Sequence, residues 1–146
     1  MNPYLNQYKT NSILTASREQ ILLMLYDGAI RFVGLAKQCM LAGDMAGKGK
    51  YIGKTIAILA EFSNTLDRKI GGELADNLDA LYGHMIARLG TANIQNTTQE
   101  LDEVRDMLSD LRQTWAKAIE LNSNPVAETE EPVTVSAASE PLRVTL

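Results

Sequence analysis

The stretch GKGKYIGKT, Gly47 to Thr55, is where phosphate chemistry would first be sought. A glycine-rich loop ending in Gly-Lys-Thr can wrap backbone N–H groups around a phosphate while the lysine reaches its outer oxygens. The spacing does not fit. A Walker A loop needs four residues between its first glycine and the Gly-Lys-Thr; Gly47 leaves five and Gly49 leaves three, and no strand pattern precedes them. The stretch is read instead as a loose helix start. Two-metal carboxylate sites in helical bundles need Glu-x-x-His pairs, but the only histidine is His84, with Leu81 three residues before it. His84 is read as a surface or boundary residue. The single cysteine, Cys39, has no histidine or basic cluster beside it in sequence and reads as a packed thiol rather than a nucleophile. Asp102, Glu103 and Asp106 alternate with Arg105 and Arg112 as a solvated helix face. No catalytic residue, cofactor or metal is assigned, and the chain is not read as an enzyme.

Any function must then come from surfaces, and surfaces from the elements that carry them. At 146 residues the chain makes one domain with one sizeable core. A hydrophobic content of 45% against 22% charged residues argues against a wholly disordered chain. The net charge of −4 gives no footprint for nucleic acid and no basic face for an anionic membrane. The longest apolar run, Ile21 to Tyr26, falls far short of the roughly 20 residues a membrane span needs. With one cysteine and no signal-peptide pattern, the expected compartment is the cytoplasm.

No proline occurs between Pro3 and Pro125, so long helices are permitted throughout. Four segments carry helical periodicity. The first opens with a Ser17/Gln20 capping box and repeats Leu22, Leu25, Ala29, Phe32, Ala36 and Cys39. A second starts near Asp44 with Ile52, Ile56, Leu59, Phe62 and Leu66, its early turns weakened by glycine at about 1 kcal/mol each. The third follows Gly71-Gly72 through Leu74, Leu78, Leu81, Met85, Leu89 and Ala92. The fourth opens with Thr97 and Glu100 as a second capping box and carries Leu101, Val104, Leu108, Leu111, Trp115 and Ala118. Matched lengths and short connections predict an all-α, antiparallel up-down-up-down four-helix bundle over 17–121. Residues 1–16 are expected to form a short N-terminal cap and linker, and 122–146, rich in Pro, Glu, Ser and Thr, a disordered acidic tail.

The first helix carries more apolar side chains than one packing face requires. Leu23, Tyr26, Ile30 and Val33 make a second line beside the first stripe, Ile58 and Ala57 add to it on the second helix, and Tyr82 and Ile86 on the third. Near the start, Tyr4, Leu5 and Tyr8 lie on one side of a single helical turn too short to fold alone. They read as a displaceable cover over an apolar groove, the architecture of a helix-in-groove receptor.

Taken together, Asn2-Pro3-Tyr4 and Tyr8, TAS followed by LMLYDGAIRF, Gly43-Asp44, GGELADNLDALY, Met85, Arg88-Leu89, Ala92-Asn93, and EV through TWAKAI make a chain that resembles the flagellin-export chaperones of the FliS family. Arg18 stands where that family usually has a first-turn proline, and His84 where tyrosine is common. The resemblance implies a cytoplasmic bundle that binds the C-terminal segment of flagellin, prevents its premature polymerisation and assists delivery to the flagellar type III export gate. The surplus apolar surface places the client groove at Leu23, Tyr26, Ile30, Ile58, Tyr82, Ile86 and Leu89 and the displaceable cap at Tyr4, Leu5 and Tyr8, and the family pattern implies the cap role for Tyr4 and Tyr8. Neither nucleic acid nor membrane insertion is expected, and the free protein is expected to be a monomer or weak dimer. The competing reading is a structural bundle that uses its surplus face to homodimerise and has no flagellin client.

Overall fold

The computed structural model of the chain describes residues 17–123, which form four helices in succession: α1 (Arg18–Leu41), α2 (Met45–Thr65), α3 (Arg68–Gln95) and α4 (Gln99–Ser123). The expected cap and tail lie outside the described residues. Each helix packs on its sequence neighbour, and α4 closes the ring against α1. Asp27 meets Arg112 and Lys37 meets Asp102 across the α1/α4 seam, so one chain climbs as the other descends. The expected antiparallel up-down bundle is the observed architecture.

The helix ends follow from local chemistry. Ser17 accepts from the Gln20 amide at 3.2 Å while the Gln20 side chain accepts from the Ser17 amide at 3.1 Å, a complete capping box. At the other end of α1, Gly43 takes a left-handed φ of 78°, which a side chain would resist. That conformation lets the Gly43 and Asp44 amides donate back to Met40 and Cys39 carbonyls at 3.2 and 2.8 Å, a Schellman closure. Asp44 then caps α2 by accepting from the Gly47 amide at 3.0 Å. Asp67 does the same for α3, accepting from Lys69 and Ile70 at 3.1 Å each. Gly72, with φ 53° and ψ −128°, breaks that first turn from the rest of the helix, so the long regular stretch of α3 begins after Gly71-Gly72, where periodicity places it. The second expected capping box does not form. Helix α4 starts at Gln99, and the Thr97 hydroxyl donates to the Glu100 carboxylate instead of accepting from a backbone amide.

The interior stripe of α1 is rotated from the one expected. On α1 the buried residues are Tyr26, Ala29, Val33, Ala36 and Met40, while Leu22, Leu25, Phe32 and Cys39 are only half-buried. On α3 they are Ala75, Leu78, Tyr82, Met85, Leu89 and Ala92. On α1 Tyr26 and Val33, read as surplus, join the expected Ala29 and Ala36 in the core, and on α3 Tyr82 joins the expected Leu78, Met85, Leu89 and Ala92, because a helix apolar on nearly every side offers more than one phase for packing. On α4, Leu101, Val104, Leu108 and Trp115 are buried as expected, whereas Leu111 and Ala118 sit at the boundary.

Candidate functional site

The residues first considered for chemistry serve the fold. Gly47 approaches α1 so closely that an added Cβ would collide with the Asp44 carboxylate and lie 2.7 Å from Cys39 Sγ. Lys48, buried, extends its ammonium to the end of α3, donating to the Asn93 carbonyl at 3.0 Å and to Asn96 Oδ1 at 3.3 Å. A cation placed there meets the carbonyls left unpaired at a helix C-terminus. Thr55 donates to the Tyr51 carbonyl one turn back at 2.9 Å. The sequence reading missed Lys48, whose signal was only a lysine on the apolar phase of α2. Cys39 is half-buried, and burial followed by the neighbouring Asp44 carboxylate pushes its thiol pKa up, which disfavours the reactive thiolate. His84 is exposed. Among the described residues no His, Cys, Asp and Glu side chains converge as a metal site, and no helix is long and apolar enough to cross a membrane.

Three of the positions assigned to a client groove belong to the interior. Tyr26, Tyr82 and Leu89 expose 0%, 2% and 0% of their surface. Tyr26 and Tyr82 join hydroxyls at 2.8 Å, and the Trp115 indole N–H donates to the Tyr26 oxygen at 3.2 Å. Phe62 stacks on Tyr26 at 4.5 Å between centroids and lies 5.4 Å from Tyr82. One aromatic from each helix therefore meets in a single buried node, and the polar tips satisfy one another. Burial, then the neighbouring Tyr82, pushes the Tyr26 pKa far up; burial likewise raises that of Tyr82. Both tyrosines stay neutral hydrogen-bonding struts.

The other four are half-buried and do not share one groove. Leu23 and Ile30 lie on the flank of α1 that also carries Asp27 and Lys37, toward α4. Ile58 faces α1, its Cδ1 3.9 Å from where a Gly28 Cβ would stand. Ile86 lies on the α2-facing flank of α3.

That last seam has a feature the sequence reading passed over. Lys48 reaching Asn93 ties one end of the seam, and toward the other end Ser63 stands near enough to Asp79 to lower its pKa. Stepping along each helix by alternating fours and threes between those ties runs through Gly53, Ile56 and Ala60 on α2 and Gly83, Ile86 and Gly90 on α3. Antiparallel register sets Ile56 beside Ile86, with Gly53 and Gly90 on one side of the pair and Ala60 and Gly83 on the other. No atom lies within 4 Å of a Cβ added at Gly53, Gly83 or Gly90. With no side chains at these glycines the seam is read as a shallow trough over two half-buried isoleucines, although Gly43, Gly49 and Gly72 are equally open. The sequence reading had treated the glycines of α2 only as a cost to helix formation.

The family model described as "Flagellar protein FliS" matches residues 1–122. The chain belongs to the FliS family. It is 40% identical over 119 residues to the flagellar secretion chaperone FliS of Bacillus subtilis (strain 168), covering 82% of this chain and 87% of that protein. It is 37% identical to the FliS of Salmonella typhimurium, over 72% of this chain and 78% of the relative. To the Pseudomonas aeruginosa chaperone FliSB it is 39% identical, over 68% and 79%. FliS membership supports a role as a flagellar export chaperone, and the relatives are named for a non-enzymatic activity.

Proposed function

We propose that this protein is a cytoplasmic chaperone that holds the C-terminal segment of flagellin on the outside of its bundle, prevents premature polymerisation and assists delivery to the flagellar type III export gate. The observation that carries the reading is the trough between α2 and α3. Glycine costs a mid-helix position about 1 kcal/mol relative to alanine, and at Gly53, Gly83 and Gly90 nothing in the bundle stands in the way of a Cβ. Space that the fold does not use suits an approaching chain. An amphipathic helix laid there would bring its apolar side chains onto Ile56 and Ile86 and its backbone close to the glycines.

Ile86 is the member of the original groove set that lies on this trough. Leu23, Ile30 and Ile58 are proposed as contacts where the client continues onto neighbouring seams. Tyr26, Tyr82 and Leu89 support the surface from beneath rather than touching the client. Tyr4, Leu5 and Tyr8, outside the described residues, are proposed as the displaceable cover.

Calorimetric titration with a flagellin C-terminal segment tests the reading. One-to-one binding is expected, together with increased protease sensitivity of residues 1–14 in the complex. Gly83→Leu or Gly90→Leu should weaken binding by about tenfold or more, equivalent to about 1.4 kcal/mol, by filling the trough. Binding undiminished in both variants would move the site elsewhere. A stable homodimer in sedimentation with no flagellin affinity would favour the structural reading.

A further inference from the structure

The α1/α2 seam carries a surface of different character. Phe32 of α1 and Tyr51 of α2 stack with ring centroids 6.0 Å apart and planes 21° from parallel, and both rings are half-exposed. Three cations stand over them: Arg31 Cζ is 5.3 Å from the Phe32 centroid, Lys54 Nζ reaches across from α2 to 5.4 Å from the same ring, and Lys50 Nζ is 5.4 Å from Tyr51. Among the described residues none of the three makes an ion pair with a carboxylate. Elsewhere three cations pair with carboxylates across helices: Lys37 with Asp102, Arg88 with Glu103 and Arg112 with Asp27. A ring face under a cation is partly satisfied, but the outward side of each cation is left for an anion.

We propose that this face docks the chain's own acidic segment around Glu128, Glu130 and Glu131. Charge and reach both select it. The sequence after Ser123 holds Glu128, Glu130, Glu131 and Glu140 against the single cation Arg143. Because Trp115 of α4 stands beside Tyr26 of α1, Ser123 leaves the bundle near the start of α1. Phe32 lies roughly 9 Å beyond Tyr26 along α1, and Ser123 roughly 12 Å past Trp115 in the opposite direction, so with the width of a helix to cross the patch is about 25 Å from Ser123. An extended chain covers ~17 Å from Ser123 to Glu128 and ~26 Å to Glu131. At full extension Glu131 arrives at the radius of Arg31 and Lys54, while Glu128 and Glu130 stop short of it along the approach. Each contact is solvent-exposed and individually weak, but tethering makes the encounter intramolecular at millimolar effective concentration. The contact is expected to be salt-sensitive, and it stands independently of where the client binds.

Zero-length carbodiimide cross-linking of the full chain at low ionic strength, mapped by mass spectrometry, tests it. Isopeptide bonds from Glu131 to Lys54 are expected within one chain, fading as salt rises and reduced several-fold by Arg31→Glu, which leaves the lysine available. In parallel, the backbone amide signals of Phe32, Tyr51 and Lys54 should shift when Glu128, Glu130 and Glu131 are changed to glutamine together. Thermal melts of the triple variant matching those of the parent chain separate a lost contact from a folding defect. Cross-links spread equally over exposed lysines such as Lys69 and Lys117 would overturn the proposal. So would links found only between isotopically distinct chains, or amide signals that stay in place.

Discussion

Removing the Tyr26 hydroxyl with Tyr26→Phe isolates the polar part of the node from its packing. The ring keeps its stack on Phe62 at 4.5 Å, so the substitution creates almost no cavity. What it removes is the oxygen that accepts from Trp115 and shares a proton with Tyr82. A buried polar group left without its partner costs about 1 to 3 kcal/mol. Tyr26→Phe strands two such groups and is expected to cost about 2 to 6 kcal/mol, and Tyr82→Phe, which leaves the Trp115 bond intact and strands one, about 1 to 3 kcal/mol. The double variant no longer contains a stranded hydroxyl. Its loss should therefore fall short of the two single losses together by about 1 kcal/mol, the coupling a double-mutant cycle reads. Trp115 is the chain's single tryptophan, so urea unfolding followed by its fluorescence reports from inside the node. Strict additivity, or a Tyr26→Phe loss below about 0.5 kcal/mol, would refute the claim that these three side chains form one dependent network.

The same node governs behaviour in alkali. Both tyrosines have pKa values raised above the ordinary 10.0, so the unfolded chain releases these protons first; stability is full below that pH and should fall as pH climbs beyond it, a fall that Tyr26→Phe/Tyr82→Phe flattens in melting experiments. In acid the sign reverses. Ser63 followed by Arg68 lowers the Asp79 pKa, Thr97 followed by the residue's own amide lowers that of Glu100, and the stability these contacts give should disappear as pH falls through the depressed values. Gly47→Ala should destabilise by about 1 to 3 kcal/mol because its Cβ meets Asp44 and Cys39, whereas Gly53→Ala should stabilise by up to about 1 kcal/mol; equal effects in thermal melts would contradict the packing. Lys48→Met, which leaves the Asn93 carbonyl without its ammonium, should cost about 1 to 2 kcal/mol in the same assay.

The helices, their order and most of their ends were legible because they rest on local chemistry. Ser17 and Gln20 sit at capping-box spacing, Gly43-Asp44 can close one helix and open the next, and Gly71-Gly72 interrupts a third. Which face of α1 turns inward was not legible. Leu22, Leu25 and Phe32 compete with Tyr26 and Val33 for the same role, and hydrophobicity ranks a leucine above a tyrosine. The structure prefers the tyrosine because Tyr82 and Trp115, from helices far away in sequence, supply what its hydroxyl needs. Reading Tyr26 as surplus followed from assigning each helix its stripe in isolation.

The glycines demanded a similar change of scale. Within one helix Gly47 and Gly53 look alike, each a penalty on propensity. Set in the folded chain they part: at Gly47 the space for a side chain is filled by the Asp44 cap and by Cys39 of α1, while at Gly53 it is empty. A penalty that packing requires explains itself within the monomer. At Gly53, Gly83 and Gly90 the packing makes no such demand, and Ile56 and Ile86 lie half-covered between them. The proposed client site rests on this asymmetry: space left open along a seam, bordering apolar side chains the fold has only half buried, would suit a chain that arrives from outside.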